Sequence, residues 1–212
     1  ASIGIPPKGV LTNEKTAWKT DNGKSNYSIS KYSAEKEVWR GIEEGLKAVI
    51  INPTIIVGPG NWKRSSARMF LDVWLGSKFY TLGVNGFVDV RDVTTSMIKL
   101  MEKEVNGERF ILSGDNLPFK EVFEMIADAL GKPRPSIKIT PLHAELFWRF
   151  EKVRAFLMRG KPLITKEIAR ESGNKQYYST EKIKEYLGID FTPILESVNH
   201  TSKVFLQQKN KN

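Results

Sequence analysis

The chain has 212 residues, enough for one large domain or for a domain with a smaller lobe. It contains no cysteine, which excludes disulfide bonds and thiolate metal sites and suits a reducing, cytoplasmic location. The formal net charge is +9, but the lysines and arginines are scattered rather than clustered, so we expect no nucleic-acid partner. We also expect no membrane partner, because no apolar run approaches the ~20 residues that span a bilayer.

The first part of the chain predicts a loop, a long helix and a buried strand. Ser2 opens a loop rich in Pro, Gly, Thr and Asn, and a helical pattern then spans residues 27–44. Ser25 or Asn26 can cap this helix, and its apolar stripe is expected at Ala34, Val38 and Ile42. Residues 48–51 are continuously apolar, which predicts a strand that is covered on both faces.

The remaining pattern alternates helices with short strands. Helices are predicted at 65–75, 90–104, 118–131, 142–158, 180–187 and 194–206, and strands at 78–82, 87–88, 108–112 and 136–140. This order is typical of the end of a parallel, doubly wound sheet, followed by a smaller and mostly helical lobe. The two histidines, His143 and His200, lack ligand-like neighbours, so no metal site is expected.

Tyr27 and Lys31 are the most informative pair of residues. Their spacing of four places a phenol and an ammonium on one face of the helix, one turn apart. A nearby positive charge favours the phenolate, so the pair suits an acid that protonates a developing alkoxide during carbonyl reduction. The same spacing also arises by chance, where a surface lysine follows a half-buried tyrosine.

Further motifs accompany this pair in a particular order. Ser2 precedes it, and the strand at 48–51 runs into the turn Asn52-Pro53 and then into Gly58-Pro59-Gly60. The segment Phe87-Val88-Asp89-Val90-Arg91-Asp92-Val93 follows. In this combination the chain resembles the C-terminal portion of the extended short-chain dehydrogenase/reductase family. The resemblance implies the C-terminal part of a doubly wound, parallel-sheet Rossmann-type fold with a smaller mixed, mostly helical substrate lobe.

The resemblance also implies roles for individual residues. Tyr27 would be the catalytic acid/base, and Lys31 would assist it and hold the nicotinamide ribose. Ser2 would hydrogen-bond the substrate oxygen, as an oxyanion donor does. Pro53 and Thr54 would place backbone near the nicotinamide amide of NAD or NADP. The residue that distinguishes NAD from NADP follows a strand that this chain does not contain.

The chain contains neither Gly-x-x-Gly-x-x-Gly nor Gly-x-Gly-x-x-Gly, the turns that cradle a pyrophosphate. The resemblance therefore implies a portion of a longer protein, inactive by itself. Residues 1–60 would end the dinucleotide-binding domain and carry the Ser/Tyr/Lys site. Residues 61–212 would form the substrate-covering lobe, with 83–112 returning to the main sheet.

Three functions remain open at this stage. In nucleotide-sugar epimerases an arginine clamps the diphosphate, and that position falls here on Asn85, with Phe87 in place of the nearby tyrosine. This difference favours the dihydroflavonol-reductase-like branch, and hence an NAD(P)-dependent reductase of a mid-sized, partly apolar carbonyl compound. Asn52, Lys63 and Arg64 could contact a nucleotide sugar and favour an epimerase or dehydratase. The third function is a non-catalytic NAD(P)-binding interaction protein.

Two further expectations concern structure rather than chemistry. Arg91 and Asp92 are expected to fix a loop and a helix start rather than to bind substrate. Family members often form a homodimer by packing the Tyr-x-x-x-Lys helix against a partner, and Trp39 is the predicted interface residue. The alternative is that Trp39 packs inside its own subunit.

Overall fold

In the computed structural model of the protein, residues 2–7, 9–18, 25–140, 143 and 173–210 are described. The helices are α1 (Asn26–Glu43), α2 (Arg68–Trp74), α3 (Val90–Glu102), α4 (Phe119–Leu130), α5 (Glu181–Leu187) and α6 (Ile194–Lys209). The strands are β1 (Val49–Pro53), β2 (Ile55–Val57), β3 (Phe79–Thr81), β4 (Val84–Asp89), β5 (Glu108–Leu112), β6 (Asp115–Pro118) and β7 (Ile137–Ile139). Apart from His143, the helix predicted at 142–158 lies outside the described residues.

The strands pair in parallel where their register is defined. β1 pairs with β5, so that Val49 lies opposite Glu108 and Pro53 opposite Leu112. β2 pairs with β4, which also neighbours β6, and β3 pairs with β7. Parallel neighbours need crossover connections, and the connection from β2 to its parallel neighbour β4 contains α2. The parallel sheets confirm the predicted α/β fold class.

The described residues form two compact units. The first unit contains residues from 1–58, 86–116 and 176–197, and the second contains residues from 59–85, 117–175 and 198–212. Segment 176–197 thus lies with the first unit, although the sequence pattern grouped it with the lobe. The division into a dinucleotide-binding domain and a substrate lobe stays a prediction.

The core of the first unit lies between the strands and α3 and α5. Its buried residues are Val88, Val93, Leu100, Phe110, Leu112, Ile183 and Leu187. Each fully buried aliphatic or aromatic side chain contributes about 1.5–3 kcal/mol relative to its exposed state. This packing holds β5 in place beside β1, which follows the helix that carries Tyr27 and Lys31.

The second unit is built on α2 and α4, which pack against each other, and on β3. Pro118 precedes the first residue of α4, and Gly131 ends it with a left-handed φ of 63°. The ring of Phe205 contacts two tryptophans edge-on, with centroids 4.9 Å from Trp62 and 5.7 Å from Trp74. These aromatic contacts fix the part of α6 that belongs to this unit, from Val198 onward.

Candidate functional site

Tyr27 and Lys31 lie on α1 with the geometry that their spacing predicts. Ser25 caps the helix by accepting the backbone N–H of Ser28 at 3.2 Å. The Nζ atom of Lys31 lies 5.9 Å from the centroid of the Tyr27 ring, and Tyr27 is 65% exposed. Within the described part of the chain, no carboxylate forms an ion pair with Lys31. The phenol and the ammonium are therefore both accessible, and their catalytic roles stay predictions.

Ser2 is buried and fully engaged in hydrogen bonds. Its Oγ–H donates to the Glu35 carboxylate, and its Oγ accepts the Nδ2–H of Asn52 at 2.9 Å. The structure therefore brings two predicted site residues, Ser2 and Asn52, into contact. It also directs the Ser2 hydrogen toward a carboxylate, so the predicted oxyanion role requires the hydroxyl to turn toward a substrate.

Glu35 lies at the centre of this polar cluster and is 8% exposed. Its Oε2 accepts the Asn52 amide at 3.0 Å as well as the Ser2 hydroxyl. Its Oε1 accepts Arg109 Nη1 at 2.8 Å and the indole Nε1–H of Trp39 at 3.3 Å. Burial raises the pKa of Glu35, but the hydrogen bonds from Ser2, Arg109 and Asn52 outweigh it, so the pKa lies below its ordinary value. The carboxylate is thus ionised near neutral pH.

The sequence pattern missed Glu35 and Arg109. Glu35 is the buried residue of α1, whereas Ala34 of the predicted apolar stripe is exposed. Glu35 follows Lys31 by four residues, as Lys31 follows Tyr27, and this spacing on one helix face was the available signal. Its burial depends on donors that come from other elements, which no local pattern shows.

Pro53 and Thr54 lie at the carboxyl end of β1 and are half-buried. The Thr54 backbone N–H donates to the Leu112 carbonyl at 2.9 Å. The Thr54 hydroxyl lies 3.2 Å from that carbonyl and 3.3 Å from Ser113 Oγ. The turn after β1 is therefore tied to the end of β5, at the sheet edge where ligands of parallel sheets usually bind.

Lys63 and Arg64 belong to the second unit, in an exposed turn before α2. Asn61 organises this turn, because its side chain accepts the Lys63 N–H at 3.0 Å and its carbonyl accepts the Arg64 N–H at 2.9 Å. Lys63 also lines an open cavity of about 530 Å³, together with Gly60, Asn61, Trp62, Leu71, Gln208 and Lys209.

The motif between Phe87 and Val93 makes structural contacts. Phe87 is fully buried. Arg91 forms two hydrogen bonds with Asp89, from Nε to Oδ1 at 2.9 Å and from Nη2 to Oδ2 at 2.7 Å. Asp92 accepts the backbone N–H of Thr192 at 2.7 Å and its hydroxyl at 3.0 Å. Arg91 and Asp92 thus fix the start of α3 and a neighbouring loop, as the sequence predicted.

The described residues contain neither a membrane-spanning helix nor a cluster of metal ligands. None of their helices is both long enough and apolar enough to cross a bilayer. No group of three or more His, Cys, Asp or Glu side chains among them is placed to hold a metal ion.

The chain is similar in sequence to two curated proteins. It is 30% identical over 142 residues to sterol demethylase protein B of Methylococcus capsulatus, covering 66% of this chain and 43% of that protein. It is 26% identical over 207 residues to a putative dihydroflavonol 4-reductase of Synechocystis, covering 93% of this chain and 60% of that protein. No protein-family model matches the chain. Since the matches cover 43% and 60% of the two relatives, the chain spans about half the length of these proteins.

Solved structures share the fold. The crystal structure of gox2253 superimposes with a TM-score of 0.79 at 28% identity, covering 98% of this chain and 64% of that one. A dTDP-glucose 4,6-dehydratase from Bacillus anthracis, solved in complex with NAD, gives a TM-score of 0.71 at 18% identity, covering 98% and 59%. The chain is thus similar in sequence to a dihydroflavonol-reductase-like protein and shares the Rossmann-type fold of a dehydratase structure, which confirms its predicted resemblance to the extended short-chain dehydrogenase/reductase family.

Proposed function

We propose that the intact protein is an NAD(P)-dependent oxidoreductase that reduces the carbonyl of a mid-sized, partly apolar substrate. The observation that supports this proposal most directly is the exposed Tyr27 phenol with the Lys31 ammonium 5.9 Å from its ring centroid. A phenol beside a cation, open to a ligand on a rigid helix, can supply a proton at neutral pH. The reductase relatives support the same reaction class.

In this reaction the Tyr27 hydroxyl gives its proton to the oxygen of the carbonyl as that oxygen gains negative charge. Lys31 stabilises the phenolate that remains. Ser2 binds the same substrate oxygen once its hydrogen turns away from Glu35. A positioned acid of this kind contributes about 10²–10⁴-fold to the rate, and an oxyanion donor adds a comparable electrostatic term.

The residues present fit a nicotinamide cofactor. Lys31 carries three N–H donors for ribose hydroxyls and has no carboxylate partner among the described residues. Pro53 and Thr54 lie at the carboxyl end of β1, where backbone can approach the nicotinamide amide. NAD or NADP, when bound, supplies the hydride. Residues of this chain hold and orient that cofactor.

The test is a substrate panel with the intact protein. NADH and NADPH are each supplied with aliphatic and aromatic aldehydes and ketones, and oxidation of the cofactor is followed by its absorbance. A parallel set contains UDP- and dTDP-sugars, and the products are separated by chromatography. Reduction of a carbonyl compound supports the proposal, whereas conversion of a nucleotide sugar without net cofactor oxidation supports the second candidate.

That second candidate is a nucleotide-sugar epimerase or dehydratase. The cavity beside Lys63 favours it, because two ammonium groups, Lys63 and Lys209, line about 530 Å³ together with Trp62. Such a site can hold a diphosphate near an aromatic surface. The buried Phe87 and the Asn85 in place of the clamp arginine argue against it. Tight NAD(P) binding without turnover of any compound would instead indicate the non-catalytic interaction protein.

We further propose that the protein is cytoplasmic and forms a homodimer through α1. The absence of cysteine suits a reducing compartment. Ile29 on α1 is 47% exposed, an apolar surface that a partner helix would cover. Trp39, the predicted interface residue, is half-buried and bonds Glu35 of its own chain, so Ile29 is the better probe. Ile29→Glu should convert a dimer to monomers in light scattering, and an unchanged mass would contradict this interface.

A further inference from the structure

The second unit contains a cavity to which the proposed reductase reaction gives no role. Its volume is about 530 Å³, within the range of about 300–1,000 Å³ that is typical of small-molecule sites. The described residues of its lining all belong to this unit, and they are Gly60, Asn61, Trp62, Lys63, Leu71, Gln208 and Lys209. The cavity is therefore formed within one compact part of the chain.

The lining of this cavity is positively charged. Lys63 and Lys209 each contribute an ammonium group, and no carboxylate is present among the described residues of the lining. Neither lysine forms an ion pair with a carboxylate within residues 25–140 and 173–210. A cleft that is lined by charge of one sign raises the local concentration of ions of the opposite sign. The cavity is thus suited to a negatively charged ligand.

Trp62 provides a fixed apolar wall. Its indole Nε1–H donates to Gln208 Oε1 at 2.6 Å. Its ring lies edge-on to two phenylalanines, with centroids 6.1 Å from Phe70 and 4.9 Å from Phe205. Because these contacts hold the ring without any ligand, little side-chain entropy is lost when a ligand packs against it. Leu71 adds further apolar surface to the lining.

Hydrogen bonds also orient the polar groups beside Trp62. The indole N–H can only donate, so the Gln208 oxygen faces it and the Gln208 NH₂ group is left as a donor. Asn61 fixes the turn that carries Lys63, because its side chain accepts the Lys63 backbone N–H at 3.0 Å. The Nζ atom of Lys209 lies 5.9 Å from the Phe205 centroid, next to the same aromatic cluster. Cationic donors and an apolar surface therefore meet at one cavity.

We propose that this cavity binds a small organic anion, whose phosphate or carboxylate group lies beside Lys63 and Lys209 and whose apolar body packs against Trp62 and Leu71. The ammonium groups attract and orient the anion, and the indole and the leucine side chain remove its apolar part from water. The inference goes beyond the proposed reductase reaction, because the ligand needs no carbonyl group to be reduced. It holds for either of the two candidate reactions.

The experiment is a calorimetric titration of the intact protein with phenyl phosphate and with benzoate, at low ionic strength. NADH or NADPH is present at saturation, so that the phosphate site of the cofactor is filled. Inorganic phosphate and acetate keep only the anionic group, and benzyl alcohol keeps only the ring. One of the two aromatic anions should bind about tenfold more tightly than any of these three compounds, because it alone uses both parts of the cavity. The tighter of the two identifies the anionic group.

Variants of the two lysines locate the binding. Lys63→Gln and Lys209→Gln should each weaken binding of the tighter aromatic anion about threefold, and together about tenfold, as expected for exposed ion pairs. Both lysines are exposed, so neither substitution removes a core contact, and circular dichroism checks the fold. Lys78→Gln is the matched control and should bind as the wild type does, because Lys78 is an exposed lysine of the same unit outside the cavity lining.

Three results overturn the inference. They are no binding, aromatic anions that bind no more tightly than the three comparison compounds, and equal losses of affinity in Lys63→Gln, Lys209→Gln and Lys78→Gln. If Lys209 only stabilises the C-terminal end of α6, Lys209→Gln lowers the urea midpoint and leaves the affinity unchanged, which also overturns it. The titration requires no turnover. The carbonyl panel therefore tests the proposed function separately, and each can fail without the other.

Discussion

The Nζ atom of Lys31 lies 5.9 Å from the centroid of the Tyr27 ring, one turn further along α1. Lys36 and Tyr32 repeat the arrangement on the same helix, also at 5.9 Å. The second pair differs in its surroundings, because the Tyr32 ring stacks on Trp18 with centroids 4.4 Å apart. The helix thus provides a matched control for each residue of the proposed catalytic pair.

Tyr27→Phe in the intact protein should lower turnover about 10²–10⁴-fold, the usual contribution of a positioned acid/base, and leave the cofactor affinity nearly unchanged. The phenyl ring remains and only the proton donor is lost. Tyr32→Phe should retain activity, because the stack on Trp18 needs the ring alone. The measurement is steady-state cofactor oxidation with the best carbonyl substrate. Near-wild-type reduction by Tyr27→Phe would show that another group supplies the proton.

Lys31→Met should weaken cofactor binding and also lower turnover, because Lys31 has two proposed roles. The substitution removes the N–H groups that would bind the ribose hydroxyls and the charge that stabilises the Tyr27 phenolate, while the aliphatic part of the side chain is kept. Lys36→Met, at the equivalent place beside Tyr32, is the control and should change neither quantity. Calorimetric titration gives the affinity for NADH and NADPH. A loss of turnover with unchanged affinity would remove the ribose role and keep the electrostatic one.

Regular elements with strong local signals could be predicted from the sequence. The helix after Ser25, strand β5 and the helix between Pro118 and Gly131 agree closely with the structure. Strands β2 and β6 were missed, since β2 follows β1 with only Thr54 between them and two of the four residues of β6 are polar. Such short strands are defined by their neighbours in a sheet rather than by their own pattern.

Only the part of the candidate site that lies within one helix could be predicted from the sequence. The Tyr27–Lys31 pair is set by helical spacing alone. The Glu35 cluster is not, because its partners Asn52, Ser2 and Arg109 lie 17, 33 and 74 residues away. An acidic residue on an amphipathic helix is usually exposed, and its burial here depends on donors that only the tertiary fold brings to it.

Gly86 is expected to tolerate no side chain. A Cβ at this position would lie 2.7 Å from Thr54 Cγ2 and 2.9 Å from Tyr178 Cδ2, and it would also meet Ser113 Oγ. Gly86→Ala should therefore lower the free energy of unfolding by about 1–3 kcal/mol through overpacking. Gly60→Ala is the control, since its nearest neighbour is the Ala67 Cβ at 4.0 Å. Equal urea midpoints for the two variants would contradict the close packing.

Asp89→Ala should destabilise the protein because Asp89 does two things at the start of α3. Its carboxylate accepts the Arg91 N–H at 2.7 Å as the helix cap, and it also receives the Arg91 guanidinium. Loss of the cap and of a hydrogen bond to a charged group should lower the free energy of unfolding by about 1–3 kcal/mol. Asp72→Ala, which removes an exposed ion pair with Arg68, should cost about 0.5 kcal/mol or less. A larger loss for Asp72→Ala would contradict this ranking.

Acid should destabilise the fold through Glu35 and Asp89. Burial raises the pKa of Asp89, but hydrogen bonds from Arg91 and Ser197 outweigh it, so this pKa is lowered from 3.8, as that of Glu35 is lowered from 4.5. A carboxyl group whose pKa is lower in the folded state stabilises the fold at any pH above its unfolded pKa. This stabilisation is lost as the pH falls through the folded-state pKa, because the unfolded chain then binds more protons than the folded chain.

The contribution of Glu35 and Asp89 to the urea midpoint should therefore stay nearly constant from about pH 7 to pH 5.5. It should fall as the pH drops below the pKa values that these two groups have in the unfolded chain. Glu35→Gln and Asp89→Asn should each start from a lower midpoint at neutral pH and show a shallower fall in acid, because neither amide titrates. Glu37→Gln, on the exposed side of α1, should keep the wild-type slope. Two results would contradict the assignment of Glu35 and Asp89 as ionised groups that stabilise the folded state. One is a wild-type urea midpoint that rises on acidification, and the other is the same dependence of the midpoint on pH in all four proteins.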